Sequence, residues 1–225
     1  MKISKRLLKI ASMVPLDIPC ADIGSDHGLL VKYLLDNNLV PFCYASDNKK
    51  GPFERLKKNL STYISQNKVE VDLVDGIKNL TNKYKTIIIA GMGGDLIKEI
   101  LEKEKDKLKN IEYLLLSPHG KEKELREFLT SIQFQIIDEN VVYEDHYYEI
   151  ILFKKSPEIV NYSTKQLEYG PINLIKKDET FINKYQDRII SNTDLLNNHQ
   201  LNHLRIQEIK ETIIKDKNIL KELNC

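Results

Sequence analysis

Up to about residue 155, apolar positions follow two alternating patterns. Short runs rich in β-branched residues read as strands: CADIG from 20, FCYASD from 42, VEVDLV from 69, TIIIA from 86 and IEYLLLS from 111. Between them, apolar residues return every three or four positions, which reads as helix: LLVKYLLDNN from 29, PFERLKKNLSTYISQ from 52, DLIKEILEKEKDKL from 95 and EKELREFLTSI from 122. Strands alternating with helices predict a parallel sheet covered on its faces by helices. FQIIDENVV and YYEIILFKK then follow with only a short break, which predicts an antiparallel hairpin at the sheet edge.

Beyond KKSPEIV the pattern changes, so the expected boundary separates domains 1–155 and 156–225. Gly170-Pro171 is the last strong turn signal, and only helical periodicity follows. Phe181, Ile182, Tyr185, Ile189 and Leu196 make one apolar seam; Ile206, Ile209, Ile213, Leu220 and Leu223 make another after the polar break NNHQ. Two narrow seams joined by a polar turn predict an antiparallel, coiled-coil-like hairpin. The alternative is a pair of helices packed flat on the first domain.

Composition narrows the class. The 225 residues are 41% hydrophobic and 30% charged, with a net charge of only +1, so nucleic-acid contact needs local basic patches rather than a global field. Cys20, Cys43 and Cys225 form neither a disulfide framework nor a metal spacing, as expected in a reducing, cytoplasmic setting. No apolar run is long enough to span a membrane. His199 and His203 are four apart but have no third ligand nearby in sequence, so no metal is expected. Nothing signals an obligate protein partner, and a monomer is expected.

The densest chemistry lies in ADIGSDHGLL. A strand ends near Ile23, Gly24 permits a tight turn, and Gly28 allows close approach at the start of the next helix. Ligands of open α/β sheets sit beyond such strand ends. The glycines do not follow G-x-G-x-x-G, which disfavours a nicotinamide-dependent oxidoreductase. Asp22 and Asp26 would repel a pyrophosphate but suit a ligand carrying an ammonium and a sulfonium, as S-adenosyl-L-methionine does. Other strand ends supply more. Asp47, with Asn48, can accept hydrogen bonds from ribose hydroxyls. Asp75 can accept from an adenine amino group, beside Gly76. AGMGG gives a bare rim of Gly91, Gly93 and Gly94 with Met92 projecting, and Ser117, Pro118 and His119 are expected to face the same cleft.

With these stations in view, the chain resembles the TrmK family of bacterial tRNA (adenine(22)-N1)-methyltransferases. The resemblance is carried by ADIGSDHGLL, ASDNKKGPFERLKKN, VDGI, IIIAGMGG, YYEIILFKK and EYGPINLIKKDETFINKYQ, which run over almost the whole chain. It implies a class I, Rossmann-like α/β methyltransferase fold: a seven-stranded, mostly parallel sheet with a C-terminal antiparallel edge hairpin, then a helical coiled-coil-like domain. It implies S-adenosyl-L-methionine as cofactor and N1 of a tRNA adenine as acceptor. Donor positions carry over to Asp22, Gly24, Ser25, Asp26, His27, Asp47, Asn48, Asp75 and Gly76, with Gly91 beside them; Gly91, Met92, Gly93 and Gly94 match the acceptor-side loop. Val31 stands where relatives usually have proline. SPHG replaces a glutamine-proline-asparagine type of segment, which leaves the role of His119 open.

Adenine N1 carries an in-plane lone pair, so alignment can supply most of the rate and no base is needed before transfer. The cationic product must later lose a proton, for which Asp26 or His27, and then His119, are candidates. The base must leave its stack, and Met92 with the glycine rim can pack against its face. Phosphate contacts are expected from Lys2, Lys5, Arg6 and Lys9 on one side of an N-terminal helix, and from Lys49, Lys50, Arg55, Lys57 and Lys58. A one-sided stripe of Lys176, Lys177, Lys184 and Arg188 would extend them. The rival readings are a same-fold enzyme acting on another RNA or a small molecule, and a tRNA-binding module without catalysis.

Overall fold

The computed structural model describes residues 3–197 and 201–223. They fall into two compact units, Met1–Ile172 and Asn173–Cys225. The first unit thus runs past the expected boundary at 155. The added stretch holds α7, which packs against α6, and Leu167 O, which accepts a hydrogen bond from Arg126 Nη1 at 3.1 Å.

In chain order the elements are α1 (Lys5–Met13), β1 (Cys20–Ile23), α2 (Leu29–Asp36), β2 (Cys43–Asp47), α3 (Lys50–Asn59), α4 (Ser61–Ser65), β3 (Val69–Leu73), β4 (Thr86–Gly93), α5 (Gly94–Lys103), a 3₁₀ turn at Lys105–Asn110, β5 (Tyr113–His119), α6 (Glu122–Ser131), β6 (Phe134–Tyr143), β7 (Tyr147–Lys155), α7 (Thr164–Tyr169), α8 (Pro171–Lys176), α9 (Glu179–Leu196) and α10 (His203–Glu222). The sheet order is β3-β2-β1-β4-β5-β7-β6. β1 to β5 are parallel, and the β6–β7 hairpin joins antiparallel through β7. This is the seven-stranded sheet and edge hairpin that the sequence predicts.

Alternation along the central strands fills both faces. Ala21, Ile23, Ile87, Ile89, Leu114, Leu116, Ile151 and Phe153 point to the face covered by Ile97, Leu101, Leu125 and Leu129. Cys20, Ile88, Leu115, Ile150 and Leu152 point to the other, under Ile10, Leu30, Leu34 and Leu56. Both faces of a parallel sheet are buried, so its strands read as unbroken apolar runs rather than alternating ones.

Two elements depart from the pattern. The single helix expected from Pro52 to Gln66 breaks at Leu60, whose side chain is buried. A Cβ at Gly28 would lie 2.9 Å from Leu56 and 3.0 Å from Leu60, so glycine there lets these leucines seat against the start of α2. Strand β4 also runs on through Gly91, at φ +79°, and its register with β5 shifts between Ala90 and Gly93. Pairing resumes at Gly93, opposite His119.

In the second unit α9 and α10 pack against each other. Phe181, Tyr185, Ile209, Ile213, Ile219 and Leu220 are buried there. Asp216, fully buried, accepts two hydrogen bonds from Arg188, Nε at 2.7 Å and Nη2 at 2.5 Å. The Arg188 guanidinium also lies 4.7 Å from the centre of the Tyr185 ring. Arg188, expected in the basic stripe, thus ties the two helices together.

Candidate functional site

The carboxyl ends of β1, β2, β3 and β4 surround a cleft with two lobes. The larger, about 370 Å³, is lined by Asp47, Asn48, Asp75 and Gly76, with Pro52, Val74, Leu96 and Ile100 as apolar walls. The smaller, about 270 Å³, is lined by Asp22, Ser25, His27, Leu29 and Leu30, with Arg6 and Leu7 from α1. Gly24, Asp26, Ala90 and Gly91 belong to both lobes. Met92 lines the larger lobe and lies against Gly24, where a Cβ would overlap its methyl.

The loop after β1 is held by backbone. Gly24 N and Ser25 N both donate to Ser46 O at 2.9 Å, coupling the turn to the end of β2. Asp26 adopts φ +41°, a strained value for a residue with a side chain. Its carboxylate stands 3.1 Å from Arg55 Nη2 and 3.5 Å from His27 Nε2. His27 O accepts from Asn59 Nδ2 at 3.0 Å.

Asp22 is the most unusual group in the cleft. It is 6% exposed and accepts from Ser25 Oγ at 2.5 Å. Burial pushes its carboxyl up to about 6, against the opposing pull of the Ser25 hydrogen bond. Asp47, at the next strand end, accepts from Lys49 N at 2.9 Å through Oδ1. Asn48 Nδ2 donates to Asp75 Oδ1 at 3.2 Å, and Lys103 Nζ stands 3.8 Å from Asp75 Oδ2. Four carboxylates thus line one cleft, an arrangement that repels polyphosphates and accepts a diol, an amine or a cation.

The sequence matches a family described as a methyltransferase domain over residues 3–151. A tRNA (adenine(22)-N(1))-methyltransferase of Bacillus subtilis is 32% identical over 195 residues, 84% of this chain and 82% of that protein. The chain belongs to the TrmK family. A solved structure of M. capricolum TrmK with the cofactor product S-adenosyl-homocysteine superposes with a TM-score of 0.85 at 27% identity, covering 98% of this chain and 99% of that one. The Bacillus subtilis TrmK crystal structure gives 0.82 at 28% identity, covering 99% of this chain and 98% of that one.

Within this TrmK frame, the expected donor residues Asp22, Gly24, Ser25, Asp26, His27, Asp47, Asn48, Asp75, Gly76 and Gly91 all line one of the two lobes. The acceptor side is less uniform. Gly93 is exposed with open space around it. Gly94 is buried, and a Cβ there would come within 2.5 Å of Gly120 O, so it packs against the next loop. Ser117 and Pro118 are also closed into β5 and line neither lobe, which corrects their placement in a base pocket. His119 is exposed at the rim, its ring 5.5 Å from that of Tyr148, with Nε2 3.9 Å from where a Cβ of Gly91 would sit.

The expected phosphate contacts divide. Lys5, Lys49, Lys50, Lys57 and Lys58 are exposed, Lys9 is half-buried, and Lys2 lies outside the described residues. Arg55 lines the larger lobe and pairs with Asp26. Arg6 turns inward: it lines the smaller lobe, and its guanidinium carbon lies 4.6 Å from the centre of the Tyr148 ring. The apolar walls Leu96 and Ile100 escaped the sequence reading. Their signal, the i and i+4 positions of a helix after a glycine-rich strand end, is also that of ordinary core. Among the described residues no three His, Cys, Asp or Glu side chains gather as metal ligands. His199 lies outside the described residues.

Proposed function

We propose that the chain methylates N1 of the adenine at position 22 of tRNA, with S-adenosyl-L-methionine as cofactor. The observation that carries this reading is the carboxylate-lined, two-lobed cleft at the strand ends, in a chain 32% identical to a curated tRNA (adenine(22)-N(1))-methyltransferase. The residues fit the cofactor. Asp47 offers a buried carboxylate to a ribose diol, Asp75 and Asn48 offer polar edges to an adenine, and Asp22 is a buried acid that no cation neutralises among the described residues. When bound, S-adenosyl-L-methionine supplies an electrophilic methyl group.

The protein's own contribution is alignment and charge. Gly91 and Gly93 leave the rim bare, so a flat base can approach the mouth shared by the two lobes, and Met92 gives it an apolar face. Asp26 and His27 stand at that mouth, where they favour the positive charge that grows on the adenine and accept its proton after transfer. His119, at the same rim, is the second acceptor. Lys5, Lys9, Lys49, Lys50, Lys57 and Lys58 meet the RNA backbone, and the protein acts as a monomer in the cytoplasm. No helix among the described residues is long and apolar enough to cross a membrane.

The deciding experiment incubates the protein with methyl-labelled cofactor and unmodified tRNA and maps the modified nucleotide. Label on N1 of adenine 22 is expected; label elsewhere, or none, overturns the reading. His27→Ala should slow single-turnover methylation while leaving cofactor affinity nearly intact. An equal loss of both would assign His27 to the cofactor pocket alone.

A further inference from the structure

A further cavity lies at the other end of the sheet. Its volume is about 350 Å³, and it sits where the 3₁₀ turn at Lys105–Asn110, the end of α6 and the end of β7 meet. That is the amino end of the parallel strands, opposite the cleft that collects Asp22, Asp47 and Asp75. Its charge is the reverse of the cleft's. Among the described residues it is lined by Lys105, Lys109 and Lys155 and by no Asp or Glu.

These ammoniums are not merely splayed into solvent. Lys155 Nζ donates to Ile132 O at 3.2 Å and stands 4.5 Å from the centre of the Phe134 ring. Burial, and then the neighbouring Lys105 charge, hold the Lys155 ammonium below its ordinary range. Neither lysine pairs with a carboxylate among the described residues. Lys109 meets Asp106 Oδ1 at 2.7 Å, in a pair largely open to water. Like charges brought together without an acid repel each other, and an anion among them relieves that repulsion. The remaining wall is apolar: Leu108 and Ile132 line it, and Ile159 stands beside them with 55% of its surface exposed.

We propose that this cavity binds a free nucleoside diphosphate, its phosphates on Lys105, Lys109 and Lys155 and its nucleoside against Ile132 and Ile159. The size is that of an ordinary small-molecule site. An inorganic anion would use the lysines and leave Ile159 in water; a ligand with a flat organic body uses both. An RNA phosphodiester brings one charge per phosphate, whereas a terminal diphosphate brings several to one point. The carboxylates of the cleft repel the same ligand, so nucleotide and methyl donor are kept at opposite ends of the sheet.

The test is calorimetric binding of adenosine 5′-diphosphate to the full-length protein, with pyrophosphate and adenosine as its separate halves. The diphosphate should bind about tenfold or more tighter than either half, and saturating S-adenosyl-homocysteine should leave its affinity unchanged. Lys155→Met and Lys105→Ala should each weaken adenosine diphosphate and pyrophosphate by about tenfold, the worth of a charge-assisted hydrogen bond. Ile159→Ser should weaken adenosine diphosphate and leave pyrophosphate as it was. Lys105 and Ile159 are exposed, so their variants keep the readout if Lys155→Met does not fold. No binding by the unaltered protein, or full affinity in Lys105→Ala, overturns the proposal. Displacement by S-adenosyl-homocysteine also overturns it, by placing the nucleotide in the cleft. Pyrophosphate binding as tightly as the nucleotide would leave an inorganic-anion site only and overturn the nucleoside. Lost tRNA affinity in Lys105→Ala, with nucleotide affinity unchanged, would give the lysines to the RNA backbone instead.

Discussion

Arg126 and Arg6 both bring a guanidinium inside the first unit, under opposite conditions. Arg126 is fully buried, and all three of its nitrogens are engaged. Nε donates to Glu139 Oε1 at 2.8 Å, Nη1 to Leu167 O at 3.1 Å, and Nη2 meets Glu149 Oε2. Glu139 also accepts from Ile172 N at 2.9 Å. Arg6 has an aromatic face on one side, a cavity on the other, and a buried nitrogen with no partner. A network closed on itself holds elements together, whereas an open one holds a place for something else. Charge burial alone would have drawn attention to Arg126; counting satisfied donors draws it to Arg6.

The contrast can be broken most forcefully at Arg126. Arg126→Met leaves Glu139 and Glu149 buried without their cation, and should cost about 3–5 kcal/mol in urea unfolding. The protein that remains folded should bind the cofactor as before. A large loss of cofactor affinity with little loss of stability would erase the distinction.

Asp22 gives the next effect, of opposite sign for the empty protein. With its carboxyl raised to about 6 by burial, the folded chain holds a proton that the unfolded chain releases near 4. Stability of the cofactor-free protein should therefore fall as pH rises from about 4 to 6, by on the order of 2 kcal/mol. The cost stays in full above that window. Asp22→Asn should remove this step and be the more stable protein at pH 8 in a thermal melt, yet bind cofactor more weakly. Cofactor affinity of the unaltered protein should drop as pH is lowered through about 6, where Asp22 takes up its proton.

Asp47→Ala should weaken the cofactor by about tenfold in calorimetry, the worth of a charge-assisted hydrogen bond. Its stability should change little, because the acid lies at a strand end and its intramolecular partner is one backbone N–H. Arg55→Ala should do least. Its pair with Asp26 is half exposed on both sides and is worth at most about 1 kcal/mol. A large effect there would mean that the open network extends to the mouth of the larger lobe.

The sheet and its edge hairpin were legible because each buried strand is a short apolar run and each covering helix repeats at its own period. The acids at positions 22, 47 and 75 were legible because strand ends in such a sheet converge. Arg6, expected with the lysines as a phosphate contact, lines the smaller lobe. It lies i−4 and i−7 from Ile10 and Met13, both buried, so it shares their helix face and not that of Lys5. Ser117 and Pro118 are buried within β5, and nothing in SPHG marks that the strand runs on as far as His119. Leu60, where the expected helix breaks, packs beside Gly28, a neighbour distant in sequence.

The close packing of Gly94 against the carbonyl of Gly120 leaves no side-chain spacer between the segments that follow β4 and β5. Any side chain at position 94 would have to wedge those two segments apart.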